Sequence, residues 1–343
     1  MSGRWRHGFP FIAFGLLACL AACERAVPEA TAPLVFPALA TAQDKLDLLR
    51  LHGAGNVAMV SLVRQEGTWR VKQRGDWPAD AGLVSQYLFV LSQARRAEAK
   101  TANPKLYPRL GVEPVSGTRA TGTELELSGG GQHWRLLVGN EHAKINGNYV
   151  RINGEPQAWL TDLPVSFDPD PAAWLEHRLL DIPLARIESV KVEDAHGPRF
   201  SLSHRDDRFR LDDAPSAAMH ESHRGDALAG ALEQLQLDDV GVGDVAQPSR
   251  TIEFNTVEGY RLTMRLQRID DRTWISLSAA LDPARAERWF ASSAGKSASP
   301  AAMAQQVLAW NGRFAARRFR LPEPVSSTLT LSHDDILAGV KSP

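Results

Sequence analysis

The stretch from Trp69 to Pro108 constrains the fold more than any other part of this 343-residue chain. It opens with a short strand pattern, Trp69–Gln73, and passes through Asp76-Trp77-Pro78-Ala79-Asp80 into a helical pattern. Leu83, Val84, Tyr87, Leu88 and Leu91 recur at the period that puts them on one helix face. Asp80 can cap that helix by accepting from its first free amides, and Arg95 and Arg96 suit its negative end. A polar strap with three prolines, residues 99–114, comes next. Its length and polarity make it the candidate interaction loop, with Lys100, Asn103, Lys105 and Tyr107 as the residues it would present.

Short strands surround this stretch. Leu46–His52 and Val57–Val63 are joined by a glycine-bearing turn, and with Trp69–Gln73 they predict an antiparallel meander. Glu124–Leu127, Trp134–Val138, Tyr149–Ile152 and Gln157–Leu160 follow. Gly129-Gly130-Gly131 and Asn146-Gly147-Asn148 read as hairpin turns that need positive φ. Asp170-Pro171 predicts a helix carrying Trp174, Leu175, Leu179 and Leu180.

A weaker copy of the plan returns about 140 residues on. Ile187–Val192, Phe200–His204 and Arg208–Leu211 match the opening strands, and Ser222 can cap a helix bearing Leu228, Leu232 and Leu235. Thr251–Phe254, Tyr260–Gln267 and Thr273–Ser278 match the second strand group. Pro300–Trp310 stands for Pro171–Leu180, and Val325–Leu331 is the expected closing strand. The expectation is an α+β protein of antiparallel sheets with amphipathic helices, built as two duplicated units, 44–182 and 183–343.

The N-terminus predicts a location. Arg4 and Arg6 precede the 14-residue apolar run Phe9–Ala22, which is short for a membrane span and ends in Leu20-Ala21-Ala22-Cys23. That ending resembles a bacterial lipobox, which implies cleavage after residue 22 and lipid attachment at Cys23. Leu16-Leu17-Ala18-Cys19 is a second possible box. Cys23 is preferred because its two preceding residues are small and the apolar run reaches it. Residues 23–43, rich in Ala, Pro and Thr, read as a flexible tether. Glu24 after the cysteine resembles the outer-membrane sorting pattern, so a periplasm-facing anchor there is expected over the inner membrane.

Composition narrows the function classes. Without the leader, 37 basic residues stand against 40 acidic ones, which gives no electrostatic case for nucleic acid. Both cysteines lie in the first 23 residues, so the body has no disulfide, thiolate metal site or cysteine nucleophile. His220-Glu221-Ser222-His223 lacks the four-residue histidine spacing of a zinc helix, and Gly295-Lys296-Ser297 lacks the earlier glycine of a phosphate loop. The paired aspartates at 206–207, 212–213, 238–239, 270–271 and 334–335 fall at strand ends and turns, where Asp serves local hydrogen bonding. Trp69, Trp134, Trp174, Trp274 and Trp310 lie on strand or helix patterns and are expected in the core. No catalytic residue, metal or cofactor is expected.

WRV at 69–71, DWPAD at 76–80, AEAKTANPKLYPRLGV at 97–112, LLVGN at 136–140, GNYVRINGE at 147–155 and PAAWLEHRLLDIP at 171–183 together resemble the bacterial domain-of-unknown-function family 4340. The likeness is close over about 45–195 and looser beyond. It implies a secreted or membrane-anchored protein, often encoded beside ABC transporter components of the gliding-motility type, and no established activity. The leading expectation is therefore a lipid-anchored, non-catalytic accessory whose partners are ABC transporter subunits or other envelope proteins. The alternative is a periplasmic solute- or glycan-binding lipoprotein with a groove between the units.

Overall fold

Nine strands form the first antiparallel sheet of the computed structural model, which describes residues 32–197, 199–205, 207–213, 223–292 and 299–337. The strands are β1 Leu46–Gly53, β2 Val57–Gln65, β3 Thr68–Val71, β4 Trp77–Pro78, β5 Arg96–Thr101, β6 Thr123–Gly129, β7 Gln132–Glu141, β8 Asn148–Ile152 and β9 Ala158–Thr161. Their order across the sheet is β4-β3-β2-β1-β6-β7-β8-β9-β5. A two-stranded piece, β10 Arg178–Leu180 with β14 Leu235–Gln236, links the halves. The second sheet holds β11 Ile187–Asp194, β12 Arg199–Arg205, β13 Arg208–Leu211, β15 Asp239–Val242, β16 Arg250–Thr256, β17 Tyr260–Ile269, β18 Arg272–Leu281 and β19 Arg317–Arg320. Its order is β13-β12-β11-β16-β17-β18-β19-β15. Apart from the two-residue β4, each strand of the second sheet stands ten strand numbers after its counterpart in the first.

Period-two alternation decides which face is buried. Leu49, Leu51, Leu125, Leu127, Leu136 and Val150 turn inward from the first sheet; Val190, Val192, Ile252, Phe254, Leu262 and Met264 do so from the second. All join one continuous core, and the described residues from Pro33 onward form one compact unit. The helix predicted after Asp80 runs Ala81–Gln93, and the Asp80 carboxylate accepts from the Leu83 amide at 3.0 Å. It buries Val84, Leu88 and Leu91 and leaves Leu83 and Tyr87 half-buried. Trp77 is buried where the halves meet: its ring lies 5.1 Å from that of Phe319 and 4.7 Å under the Arg313 guanidinium. Its indole N–H donates to the Glu176 carbonyl at 2.9 Å.

Several expectations are corrected. The start of the strap is the edge strand β5, so Arg96 begins a strand instead of closing a helix. Asp170 caps only a single 3-10 turn, Pro171–Trp174, and the apolar run behind it becomes β10. Pro300–Phe314 is the longest helix among the described residues, yet it lies between β18 and β19 and so has no topological equivalence to Pro171–Leu180. The closing strand is β19; Glu323–Leu329, entered through Pro322, is a helix. Leu235 belongs to β14, outside the helix Arg224–Ala229, and Ser222 lies outside the described residues. The glycine at 147 is required by a close approach, since a Cβ there would collide with the Thr161 carbonyl. The tether reading fails from Pro33 onward: Val35, Phe36, Leu39 and Ala42 are buried, and Leu34 bridges to Arg95. Apolar residues spaced between the prolines gave that segment a face to bury.

Candidate functional site

The strap is the natural place to begin. From Ala102 it crosses the outer face of the first sheet, where Tyr107, Val112 and Val115 pack on Leu137 and Ala158 as a second small core. Gly139 lets it approach, because a Cβ at that position would meet the Leu110 carbonyl. Arg151 of β8 fastens it. The buried guanidinium donates to the Val112 carbonyl at 3.0 Å and the Glu155 carbonyl at 3.2 Å, and lies 4.5 Å over the Tyr107 ring.

The four residues singled out in the sequence therefore separate. Tyr107 is buried, and its hydroxyl donates to the Pro156 carbonyl at 2.6 Å, so it is an anchor and not a contact residue. Asn103 accepts from the Lys105 amide at 3.1 Å and shapes the turn. Lys100 stands on β5, paired with Glu98 at 2.7 Å. Lys105 is exposed, with Leu106 and Arg109 beside it. What the structure brings together at the surface is β5 and the start of the strap.

Beneath the strap's far side, charges are matched within the sheet. Arg135 and Asn153 bond to the buried Glu124. Glu126 accepts from Arg50 at 3.3 Å and contacts His52 at 3.2 Å and His133 at 3.1 Å. Burial pushes its carboxyl upward, but the hydrogen bonds from His133 and His52 and the Arg50 charge outweigh that and hold it below the usual carboxylate range.

A cavity of about 930 Å³ lies on the second half at β11 and β12, not between the units. Ser189, Lys191, Ser201, Ser203, His204 and Arg285 are among its lining residues. Several of its charges are already engaged: Ser201 donates to Asp212 at 2.5 Å, and Arg285 bonds to Glu188 at 2.5 Å and Asp282 at 2.8 Å. Burial raises the Asp212 carboxyl, and bonds from Ser201, Ser203 and Arg205 more than reverse this, so it stays ionised. His204 meets the Phe209 ring at 5.4 Å and not a serine. Tryptophan does not line the cavity; Trp69, Trp77 and Trp174 are buried, and Trp134 and Trp310 pack against the core. Trp274 lies under Arg318 at 5.3 Å.

Among the described residues no three His, Cys, Asp or Glu side chains are grouped to hold a metal, and no helix is long and apolar enough to cross a membrane. His220, Glu221, Gly295, Lys296, Ser297 and both cysteines lie outside those residues. Asp270 and Asp271, both at positive φ, form the β17–β18 turn, where a carboxamide or carboxylate side chain tolerates that conformation.

Sequence reasoning missed the sheet edges. At β4 the Pro78 carbonyl accepts from the Glu176 amide at 2.9 Å. At β13 the Asp226 carboxylate takes the Phe209 amide at 2.7 Å. At β15 the Lys72–Arg74 turn packs alongside, with Arg74 on Asp239 at 2.5 Å. Only β5 differs: Pro33 accepts from the Arg96 amide at 2.8 Å, and beyond it no segment among the described residues lies along Ala97–Thr101. The alternation of that strand, Ala-Glu-Ala-Lys-Thr, was the available signal, but the charges made it read as part of a loop.

Fold and surface define an antiparallel α+β body of two large sheets that share a strand order apart from β4, with one edge left uncovered among the described residues. The chain matches the family described as Domain of unknown function (DUF4340) over residues 69–253, more than half its length, and belongs to it. The match starts at β3 and reaches into β16, so it takes in strands of both sheets. No curated protein and no solved structure matches the chain.

Proposed function

We propose that this is a lipid-anchored envelope protein, without catalysis of its own, that works by protein–protein contact. The observation that carries the reading is the β5 edge beside the exposed Lys105–Leu106 corner of the strap. Three sheet edges are sealed by the chain itself, while along Ala97–Thr101 no described segment covers this one, and extended partners dock on such edges through main-chain hydrogen bonds. The lipobox ending in Cys23 supplies the anchor, and the family resemblance suggests ABC transporter subunits as partners, with the outer membrane favoured by Glu24. The shared strand order supports descent of both halves from one duplicated unit.

A second reading draws on the serine-lined cavity of about 930 Å³, which could take a polar solute or glycan. No tryptophan is among its lining residues and its Arg285 and Asp212 are bonded within the chain, which favours the contact reading.

The test is an affinity pull-down from membranes of wild type and Cys23→Ala, with the mature N-terminus mapped by mass. Acylated Cys23 with transporter or envelope proteins retained by wild type is the expected result. An unmodified N-terminus with no retained protein would sink the proposal.

A further inference from the structure

The open edge is too charged and too irregular to pair with strands indiscriminately, and the pattern of those features selects one partner. Relative to β9, β5 carries extra residues between Arg96 and Glu98 and between Ala99 and Thr101. Such bulges, together with charged residues, guard an edge against indiscriminate pairing. Ala97, Glu98 and Ala99 are exposed, and Glu98 and Lys100 lie two apart with opposite charge.

We propose that β5 is the seam of a two-fold dimer, in which two copies of this chain pair antiparallel about Ala99. In an antiparallel seam related by a two-fold axis, one residue faces itself and its neighbours face one another reciprocally. Centring on Ala99 sets Glu98 opposite Lys100 of the second copy, twice, and Ala97 opposite Thr101. Centring on Glu98 or on Lys100 puts like charges opposite, which opposes pairing. Centring on Ala97 needs the outer side of Arg95 and Arg96, already taken by Leu34 and Pro33. Centring on Thr101 sets Lys100 opposite Ala102 and pairs no opposite charges, so charge complementarity selects the Ala99 register. The seam is short, below the roughly 1,200 Å² of a standard interface, so the dimer is weak in dilute solution. This self-contact goes beyond the contact reading above and does not depend on the lipid.

Position 99 gives a sharp test, because opposite residues in such a seam lie about 4.5–5.5 Å apart at Cα, within disulfide range. Ala99→Cys is made in the full chain carrying Cys19→Ser and Cys23→Ser, so the new thiol stands alone and the outcome is independent of acylation. After mild oxidation, a non-reducing gel should show a band at twice the monomer mass, at least tenfold stronger than for Ser85→Cys on the exposed helix face. Adding Glu98→Lys should lower the band severalfold, and Glu98→Lys with Lys100→Glu should restore it. Circular dichroism checks that each variant is folded. Equal bands at positions 85 and 99, or no loss with Glu98→Lys, would overturn the dimer.

Discussion

Replacing Arg151 with methionine tests whether the strap is a fastened cover or a free loop. The change keeps the alkyl stem and removes the guanidinium that bonds to the Val112 and Glu155 carbonyls and stacks on Tyr107. A hydrogen bond from a charged donor is worth about 1.5–3 kcal/mol, and the buried Val112 carbonyl is left without its partner. The cation–π contact adds about 1 kcal/mol. Against this, burying the charge no longer costs solvation, so a net loss of about 3 kcal/mol is expected in the strap's local stability. Amide exchange at Val112 and Val115 should then accelerate about a hundredfold, while Leu127 and Leu136 in the sheet core change far less. Tyr107→Leu should give a smaller loss, and the double variant should fall short of the sum by about 1 kcal/mol. Strap exchange within threefold of wild type would refute the anchoring, and with it the assignment of Tyr107 to packing.

Other perturbations test other joints. Arg250→Met removes a buried guanidinium that bonds to Asp194 and to the Leu329 and Leu331 carbonyls at 2.8 Å; stability should fall by about 3–5 kcal/mol in urea unfolding, because Asp194 loses its charge partner. Asp226→Ala frees the Phe209 amide at the β13 edge and should cost about 1–2 kcal/mol, with faster aggregation on light scattering. Glu126 is held below the usual carboxylate range when folded, so its contribution is complete above the unfolded value near pH 4.3 and is lost as pH falls through the lower folded value. Wild type should therefore lose more stability than Glu126→Gln between pH 5 and pH 3, measured as the shift in urea midpoint. His333 behaves oppositely: burial lowers its value, but bonds to Asp334 and Asp213 raise it overall. Its stabilisation is complete below the unfolded value near pH 6.5 and is lost as pH rises through the higher folded value, so His333→Gln should narrow the difference between pH 6 and pH 8.5.

The legible parts of the fold were those written in local pattern. The Asp80 cap, the face of the Ala81–Gln93 helix and the alternating strands of both sheets appear where the sequence places them. Less legible were elements whose identity depends on a neighbour. β5 is charged and only becomes a strand because β9 offers it a ladder, and Val325–Leu331 looks like a strand until Pro322 and the Arg250 clamp make Glu323–Leu329 a helix. The surface was less legible still. Tyr107 looks like a contact residue in a polar strap, and only the position of Arg151, 44 residues on, turns it inward. Nothing local marks the sealed edges, because each seal, such as Asp226 on Phe209, is a long-range hydrogen bond.

Site-specific photo-crosslinking in intact membranes measures the central claim most directly. A photoreactive residue is placed in turn at Ala99, at Lys105 and at Ser203 in the cavity, and adducts are identified by mass. Protein adducts at 99 and 105, including a second copy of this chain at 99, with none at 203, are the predicted result. Adducts confined to 203, or a small-molecule adduct there with silent positions 99 and 105, would contradict the account and make the serine-lined cavity the working site.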